Sequence, residues 1–291
     1  MLNTELHWKK FFGDLETKRR NQNKLRVELE SNSETDQFVL IEGYVDRKFE
    51  NENRLLFGKG RKTVGFEYLN TRGKRLAVNR SLMYQYVEDF SFVGQDFFVS
   101  YQWRTPSTEE DKEILVDAIS FHSNQPEDFG LIHMHNFTPH SEWRVMSWVL
   151  LQADKARRDY QLVGMTVLGA EKRNAEEHIT YEIFYGKDPS QSEFERDFDN
   201  KEEVFFAGAK AEYGFLMAPD IFPYTQVTYL AQRLDEPGYD LLQALLGFRY
   251  ILGEELFISF EFDGLQTSMR SNPWSKNWDQ SEVKAEIRYM F

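Results

Sequence analysis

Runs of alternating apolar and polar residues recur from residue 24 to the end of this chain, and that period of two limits the possible folds more than any other feature. Successive side chains of a strand point to opposite faces. "KLRVELE" sets Leu25, Val27 and Leu29 against Arg26, Glu28 and Glu30. "TVGFEYL" sets Val64, Phe66 and Tyr68 against Thr63, Gly65 and Glu67, and "DFFVSYQWR" sets Phe97, Val99, Tyr101 and Trp103 against Phe98, Ser100, Gln102 and Arg104. In "HITYEIFYG" the apolar face is Ile179, Tyr181, Ile183 and Tyr185, with Glu182 opposite. "VFFAGAKAEYGF" places Lys210 and Glu212 opposite Ala209, Ala211 and Tyr213. "LLQALLGFRYIL" places Arg249 opposite Phe248 and Tyr250, and "ELFISFEFD" places Glu261 between Phe260 and Phe262. The closing "VKAEIRYMF" puts Val283, Ile287, Tyr289 and Phe291 on one face and Lys284, Glu286 and Arg288 on the other.

The second face separates two architectures. A soluble sandwich turns its apolar face inward and exposes the polar one. A transmembrane barrel inverts this, with lipid outside, a polar lumen, and aromatic girdles at both interfaces. Here aromatics fall near strand ends, as at Tyr101, Trp103, Tyr185, Tyr213, Phe215, Tyr250, Tyr289 and Phe291. The runs also have the length of about 9–11 residues that a tilted strand needs to cross a bilayer. The expected fold is therefore all-β: an antiparallel up-and-down transmembrane barrel of roughly fourteen strands, between about twelve and sixteen, an even count placing both termini on one side. Residues 1–22, with Leu2, Trp8, Phe11, Phe12 and Leu15 loosely on one face, read as a short helix or lead-in, and 23–291 as the barrel. "RTPSTEEDKE", "GKDPSQSEFERDFDNKEE", "RLDEPGYD" and "QTSMRSNPWSKNWDQS" read as loops, the longer ones extracellular.

This reading assigns ten lumen-lining residues: Arg26, Glu28, Arg104, Glu182, Lys210, Glu212, Arg249, Glu261, Glu286 and Arg288. A charge introduced at Phe260 is then expected to be costly and one at Glu261 to be tolerated. Neutralising Glu212 and Glu261 is expected to move ion selectivity toward anions.

Composition narrows the rest. Aromatic content of 15% sits beside a mean hydropathy of −0.60, so oil and charge are interleaved, and no apolar run is long enough for a spanning helix. The chain has no cysteine, which removes thiolate metal sites and cysteine nucleophiles. A net charge of −13 argues against nucleic acid as a partner. "MLNTELHWKKFFGDLETKRRNQN" lacks the order of basic, apolar and small residues that makes a secretory signal, so an exported chain would be a mature form or fragment carrying a start Met.

Few constellations suggest chemistry. In "FHSNQ", His122 and Ser123 are adjacent, with Asn124 next, and adjacent strand residues point to opposite faces, so a nucleophile and base could not meet there without a bulge. "HMHNFTPH" supplies His133 and His135 on one face and His140 beyond a turn, but a metal site needs a third ligand that the sequence does not locate. "GKGRKT" lacks the spacing of a phosphate loop, "KGRK" and "RGKR" read as a solvated basic patch, and "FERDFDNKEE" lacks the tight glycine turn of a calcium loop. No enzyme activity and no cofactor are expected.

The alternating last strand ending on Phe291 resembles the C-terminal signature of bacterial outer-membrane β-barrel proteins, which implies recognition by the barrel-assembly machinery. Across about 145–232, "VMSWVLLQADKARRDYQLVGMTVLGAEKRNAEEHITYEIFYGKD", "VFFAGAKAEYGF" and "IFPYTQVTYLAQRLDEPGYD" resemble the alginate-export outer-membrane porin family. That resemblance implies a porin carrying anionic polysaccharide through a basic lumen. The assigned wall departs from it, because Glu28, Glu182, Glu212, Glu261 and Glu286 stand beside the cations. Such a wall does not concentrate a polyanion. The expected function is an outer-membrane channel for small polar solutes or an oligosaccharide, set in outer-membrane lipid. The alternatives are a filled barrel that anchors a partner protein, or a soluble ligand-binding β protein.

Overall fold

Every alternating run named above becomes a strand except one. The computed structural model describes residues 6–11, 22–32, 37–70, 76–106, 113–123, 129–154, 161–188, 204–236, 238–253, 256–267 and 280–289. The chain forms β1 (Leu6–Phe11), β2 (Gln22–Asn32), β3 (Gln37–Lys48) and β4 (Arg54–Arg61), followed by two short helices, α1 (Gly65–Leu69) and α2 (Leu82–Asp89). Strands then follow one another: β5 (Gln95–Pro106), β6 (Glu113–Ser123), β7 (Phe129–Asn136), β8 (Trp143–Asp154), β9 (Gln161–Arg173) and β10 (Glu177–Lys187). The last five are β11 (Phe205–Phe215), β12 (Ile221–Ala231), β13 (Asp240–Ile251), β14 (Leu256–Thr267) and β15 (Gln280–Tyr289).

All fifteen strands belong to one sheet in sequence order, the ladders antiparallel, and among the described residues no ladder joins β15 back to β1. Up-and-down order places alternate connections on opposite edges. One edge carries short turns at 49–53, 137–142, 174–176, 216–220 and 252–255. The other carries the long connections 62–94, 188–204, 232–239 and 268–279. "RTPSTEEDKE" falls on the short-turn edge, as the connection from β5 to β6, so it does not share an edge with the other three expected loops.

The exposure of the faces is inverted relative to a water-soluble sheet. Ile183, Tyr185, Leu246, Phe248, Phe260 and Phe262 are exposed, with Val283 and Ile287 at 80% and 74%, while Thr180, Glu182, Lys210, Thr228, Ser259 and Glu261 on the intervening positions are buried. A buried polar face beneath an exposed apolar one fits lipid outside.

The chain divides into two compact units. The first comprises 1–62, 94–140 and 150–162; the second comprises 63–93, 141–149 and 163–291. In the first, Tyr44 packs edge-on against Phe98, Ser120 Oγ donates to Ser100 Oγ at 2.7 Å, and Lys62 pairs with Asp96 at 2.6 Å. Close to the short-turn edge Arg54 binds Asp46 at 3.0 Å and also pairs with Glu113. In the second unit the segment 63–93 lies on the polar face of the strands and builds the core there.

Two expectations are corrected. "TVGFEYL" is not a strand: Gly65 takes φ +72°, a left-handed conformation that breaks extension, and α1 begins at that residue. Within 1–22, Leu6–Phe11 is strand β1, laddered to β2 from Leu6 opposite Ser31 to Phe11 opposite Arg26, and not a helix. Pairing with β2 satisfies its backbone groups along the whole segment, whereas a helix this short does not persist alone in water. The described strands number fifteen, inside the expected range but odd.

Candidate functional site

The segment 63–93 leaves the sheet after β4 and returns to β5, and Lys62 N donates to Gly94 O at 2.9 Å where its ends meet. Helices as short as α1 and α2 do not persist alone in water. Here the strands of the second unit complete them. Phe66 N, in the first turn of α1, donates to Glu182 Oε1 at 2.7 Å, and Leu82 N, at the start of α2, donates to Gln243 Oε1 at 2.9 Å. Each wall side chain thus satisfies a helical N–H that has no partner within its own helix.

Apolar packing accompanies these bonds. Val64, Phe66, Met83, Tyr84, Val87 and Phe92 are almost fully buried. Phe66 meets Trp148 edge-on at 5.1 Å, Tyr84 meets Phe184 edge-on at 4.9 Å, and Tyr86 packs on Phe206. Glycine makes this approach possible. A Cβ on Gly169 would lie 2.7 Å from the Phe66 ring, and one on Gly208 would lie 2.5 Å from Met83 Sδ. Leu76 and Ala77 join Phe222, Tyr224 and Leu245 in a further cluster.

A buried ionic knot ties the segment down. Lys210 Nζ donates to Glu67 Oε1 at 2.7 Å and lies 3.1 Å from Glu182 Oε2, while Glu67 also accepts from Ser81 N at 3.1 Å. Tyr84 Oη donates to Glu182 Oε1 at 2.7 Å. Burial, and then the neighbouring Glu182 carboxylate, hold the Tyr84 phenol well above its ordinary range, so it remains a donor. Toward the short-turn edge Asn70 Nδ2 donates to Glu171 Oε1 at 2.7 Å, and Arg144 pairs with the same carboxylate. Beyond it, Arg249 donates to Leu76 O at 3.1 Å, and Val78 N donates to Glu261 Oε2 at 2.9 Å, which also accepts from Tyr224 Oη.

Five of the ten residues assigned from sequence therefore converge on this segment: Glu182, Lys210, Arg249 and Glu261 bind it, and Glu212 lies among them, 3.3 Å from His178. All five sit on the polar face and are buried. Arg104 is half-buried in the first unit, with Nε and one terminal nitrogen donating to Gln102 Oε1 at 3.1 and 2.7 Å. Glu286 is half-buried on β15. The side chains of Arg26, Glu28 and Arg288 lie outside the described residues, as do Phe291, Asn124, "RGKR" and "FERDFDNKEE". Glu261 is more than a wall charge: its carboxylate accepts hydrogen bonds from Val78 N and Tyr224 Oη, which an arginine there could not do.

Sequence reasoning missed the residues that the segment itself contributes. Its covered side supplies Glu67 and Tyr84; its solvent side carries Asn79, Gln85, Glu88 and Asp89. Arg80 donates twice to Glu88, at 2.8 and 2.9 Å, and its guanidinium lies 4.0 Å from the Tyr68 ring centre. The helical spacing of Met83, Tyr84 and Val87 after Ser81 was the available signal.

His122 is buried, its ring stacked on Phe98 at 6.0 Å, and Ser123 follows it on the opposite face, so the two do not form a nucleophile and base. Among the described residues no group of three histidine or acidic side chains is arranged to hold a metal ion. Asp117 does stand across the ladder from His135 and accepts from His133 Nε2 at 2.8 Å, while His140 is exposed in the following turn.

No protein-family model matches the chain, the alginate-export family included, and no curated protein sequence matches it. Solved structures do. The chain is similar to an anion-selective porin from Comamonas acidovorans, at 10% identity and TM-score 0.63, over 99% of this chain and 85% of that one. The outer membrane channel DcaP of Acinetobacter baumannii matches at 11% identity and TM-score 0.64, over 99% and 85%. OmpT, an outer membrane protein of Vibrio cholerae solved as a trimer, matches at 13% identity and TM-score 0.54, over 99% and 96%. The chain thus has the fold of the outer-membrane porin β-barrels.

Proposed function

We propose that this protein is an outer-membrane channel of the porin type, in which the segment 63–93 narrows the lumen and presents the surface that solutes meet. The observation that carries the reading is the pairing of an exposed apolar face with a polar face on which a chain segment is anchored, its own polar side left in solvent. Charges that pave a narrow polar passage set its selectivity. Glu182, Lys210, Glu212 and Glu261 are buried, so the fields that a solute meets in the second unit come first from Asn79, Gln85, Glu88 and Asp89. Arg80 offsets Glu88, and Asp89 adds a further negative charge. That surface favours small neutral or cationic polar solutes and disfavours a polyanion such as alginate.

Residence in the outer membrane, contact with its lipid and recognition of the C-terminal strand by the assembly machinery belong to the same proposal. Catalysis does not. A second reading, a filled barrel serving as an anchor for a partner protein, draws on the core-like packing of Phe66, Tyr84 and Met83 beneath the segment. Reconstitution into planar bilayers separates the two. The channel gives discrete current steps; a protein that is folded, inserted and silent across a range of voltages is the anchor.

A further inference from the structure

The outer face of the first unit changes character toward the short-turn edge. Along β5 it runs Phe97, Val99, Tyr101, Trp103; along β7 it runs Phe129, Leu131, His133, His135, with Phe137 just beyond. On β6 between them, Phe121 and Ile119 give way to Asp117. Asp117 stands opposite Trp103 on one side and His135 on the other. A charged side chain on the lipid face is costly at the bilayer midplane and nearly free at the interface, so this cluster marks headgroup level.

The cluster has a definite polarity. Asp117 Oδ1 accepts from His133 Nε2 at 2.8 Å, but Oδ2 is 3.6 Å from His135 Nδ1, beyond hydrogen-bond reach. One carboxylate oxygen and the His135 imidazole therefore retain bonding capacity side by side. Aromatic rings flank them: His135 meets Phe137 edge-on at 4.6 Å, and Trp103 meets Tyr101 edge-on at 4.8 Å. The three polar side chains remain between 30% and 45% exposed.

We propose that Asp117, His133 and His135, framed by Trp103 and Phe137, bind the headgroup of a phosphatidylethanolamine-type lipid in the leaflet at the short-turn edge. Asp117 Oδ2 accepts from the ammonium, the His135 N–H donates to the phosphate, and the rings cover the glycerol and upper acyl chain. Charge complementarity selects this occupant. A carboxylate beside an imidazole N–H matches an ammonium beside a phosphate, whereas a purely anionic headgroup offers Asp117 no cationic partner. The inference rests on the reading that the outer face lies in lipid.

The test is native mass spectrometry of the folded protein in mild detergent, titrated with phosphatidylethanolamine or phosphatidylglycerol. The wild type retains the first over the second by roughly tenfold, and Asp117→Asn and His135→Gln each abolish that preference, while Phe121→Leu on the same face keeps it. Heat-modifiable gel migration confirms that each variant is folded. Equal retention of the two lipids, or an Asp117→Asn protein that keeps the preference, overturns the proposal. So does cross-linking that shows the niche covered by a second copy of the chain. A protein that never shows a heat-modifiable form and retains no lipid brings down the membrane reading itself.

Discussion

Replacing Lys210 with Met removes the only cation within ion-pair distance of Glu67 and Glu182 among the described residues, and its effect can be worked from the geometry. The ammonium lies 2.7 and 3.1 Å from the two carboxylates, and all three side chains are buried. Removing one member of a buried ionic group leaves uncompensated charge, at a cost of about 3–5 kcal/mol. The strand ladders at Lys210, to Glu182 and to Thr228, involve only backbone and survive. The cost therefore falls on the docking of 63–93, because Glu67 belongs to the segment and Glu182 holds Phe66 N and Tyr84 Oη. At ~1.4 kcal/mol per tenfold, docking weakens between about a hundredfold and a few thousandfold. Limited proteolysis of the reconstituted protein should cut within 63–93 while the folded barrel still migrates as a heat-modifiable band, and its currents should become larger and noisier. Adding Glu67→Gln should recover part of the loss, since it removes one of the two stranded charges. A Lys210→Met protein as protease-resistant and as quiet as the wild type would refute the anchoring mechanism.

Further perturbations address other parts of the account. Phe260→Arg places a charge on the lipid face and breaks the ring pair with Phe248, so refolding into vesicles under urea should show a loss of roughly 2–4 kcal/mol if the site lies near the midplane. Glu261→Arg should leave that refolding stability nearly intact but raise protease cutting in 63–93, because the carboxylate holds Val78 N. Gly208→Val should push Met83 and α2 off β11 at a cost of about 1–3 kcal/mol, seen in the same protease assay. Tyr68, Tyr84 and Tyr86 all have phenol pKa values raised, chiefly by burial. The docked phenols stay protonated where freed ones ionise, so docking is fully stable below about pH 10, the ordinary phenol value, and weakens as pH rises above it. Protease cutting that is flat from pH 7 to pH 11 would contradict this.

The strands were legible because alternation is local. Phe260, Glu261 and Phe262 declare their faces within three residues, and the structure exposes the two rings and buries the acid. What covers the polar face was not legible, because the contacts that decide it join distant positions: Phe66 and Glu182 are 116 residues apart, Glu67 and Lys210 are 143. "TVGFEYL" misled for a related reason. Val64, Phe66 and Tyr68 alternate as a strand would, yet Gly65, Phe66, Glu67 and Tyr68 are all buried, so both sides of the segment are covered and the alternation carries no information about secondary structure. The pair His133 and His135 was visible in sequence, but its partner Asp117 could be placed only by the register of β6 against β7.

The most direct test of the central claim is the zero-current potential of the reconstituted protein in a salt gradient, compared among the wild type, Glu88→Gln/Asp89→Asn and Glu212→Gln. If the solvent side of 63–93 is the surface that solutes meet, the double variant moves selectivity toward anions, and Glu212→Gln, buried beside His178, changes it little. A shift confined to Glu212→Gln, or no current from folded and inserted protein, would contradict the account.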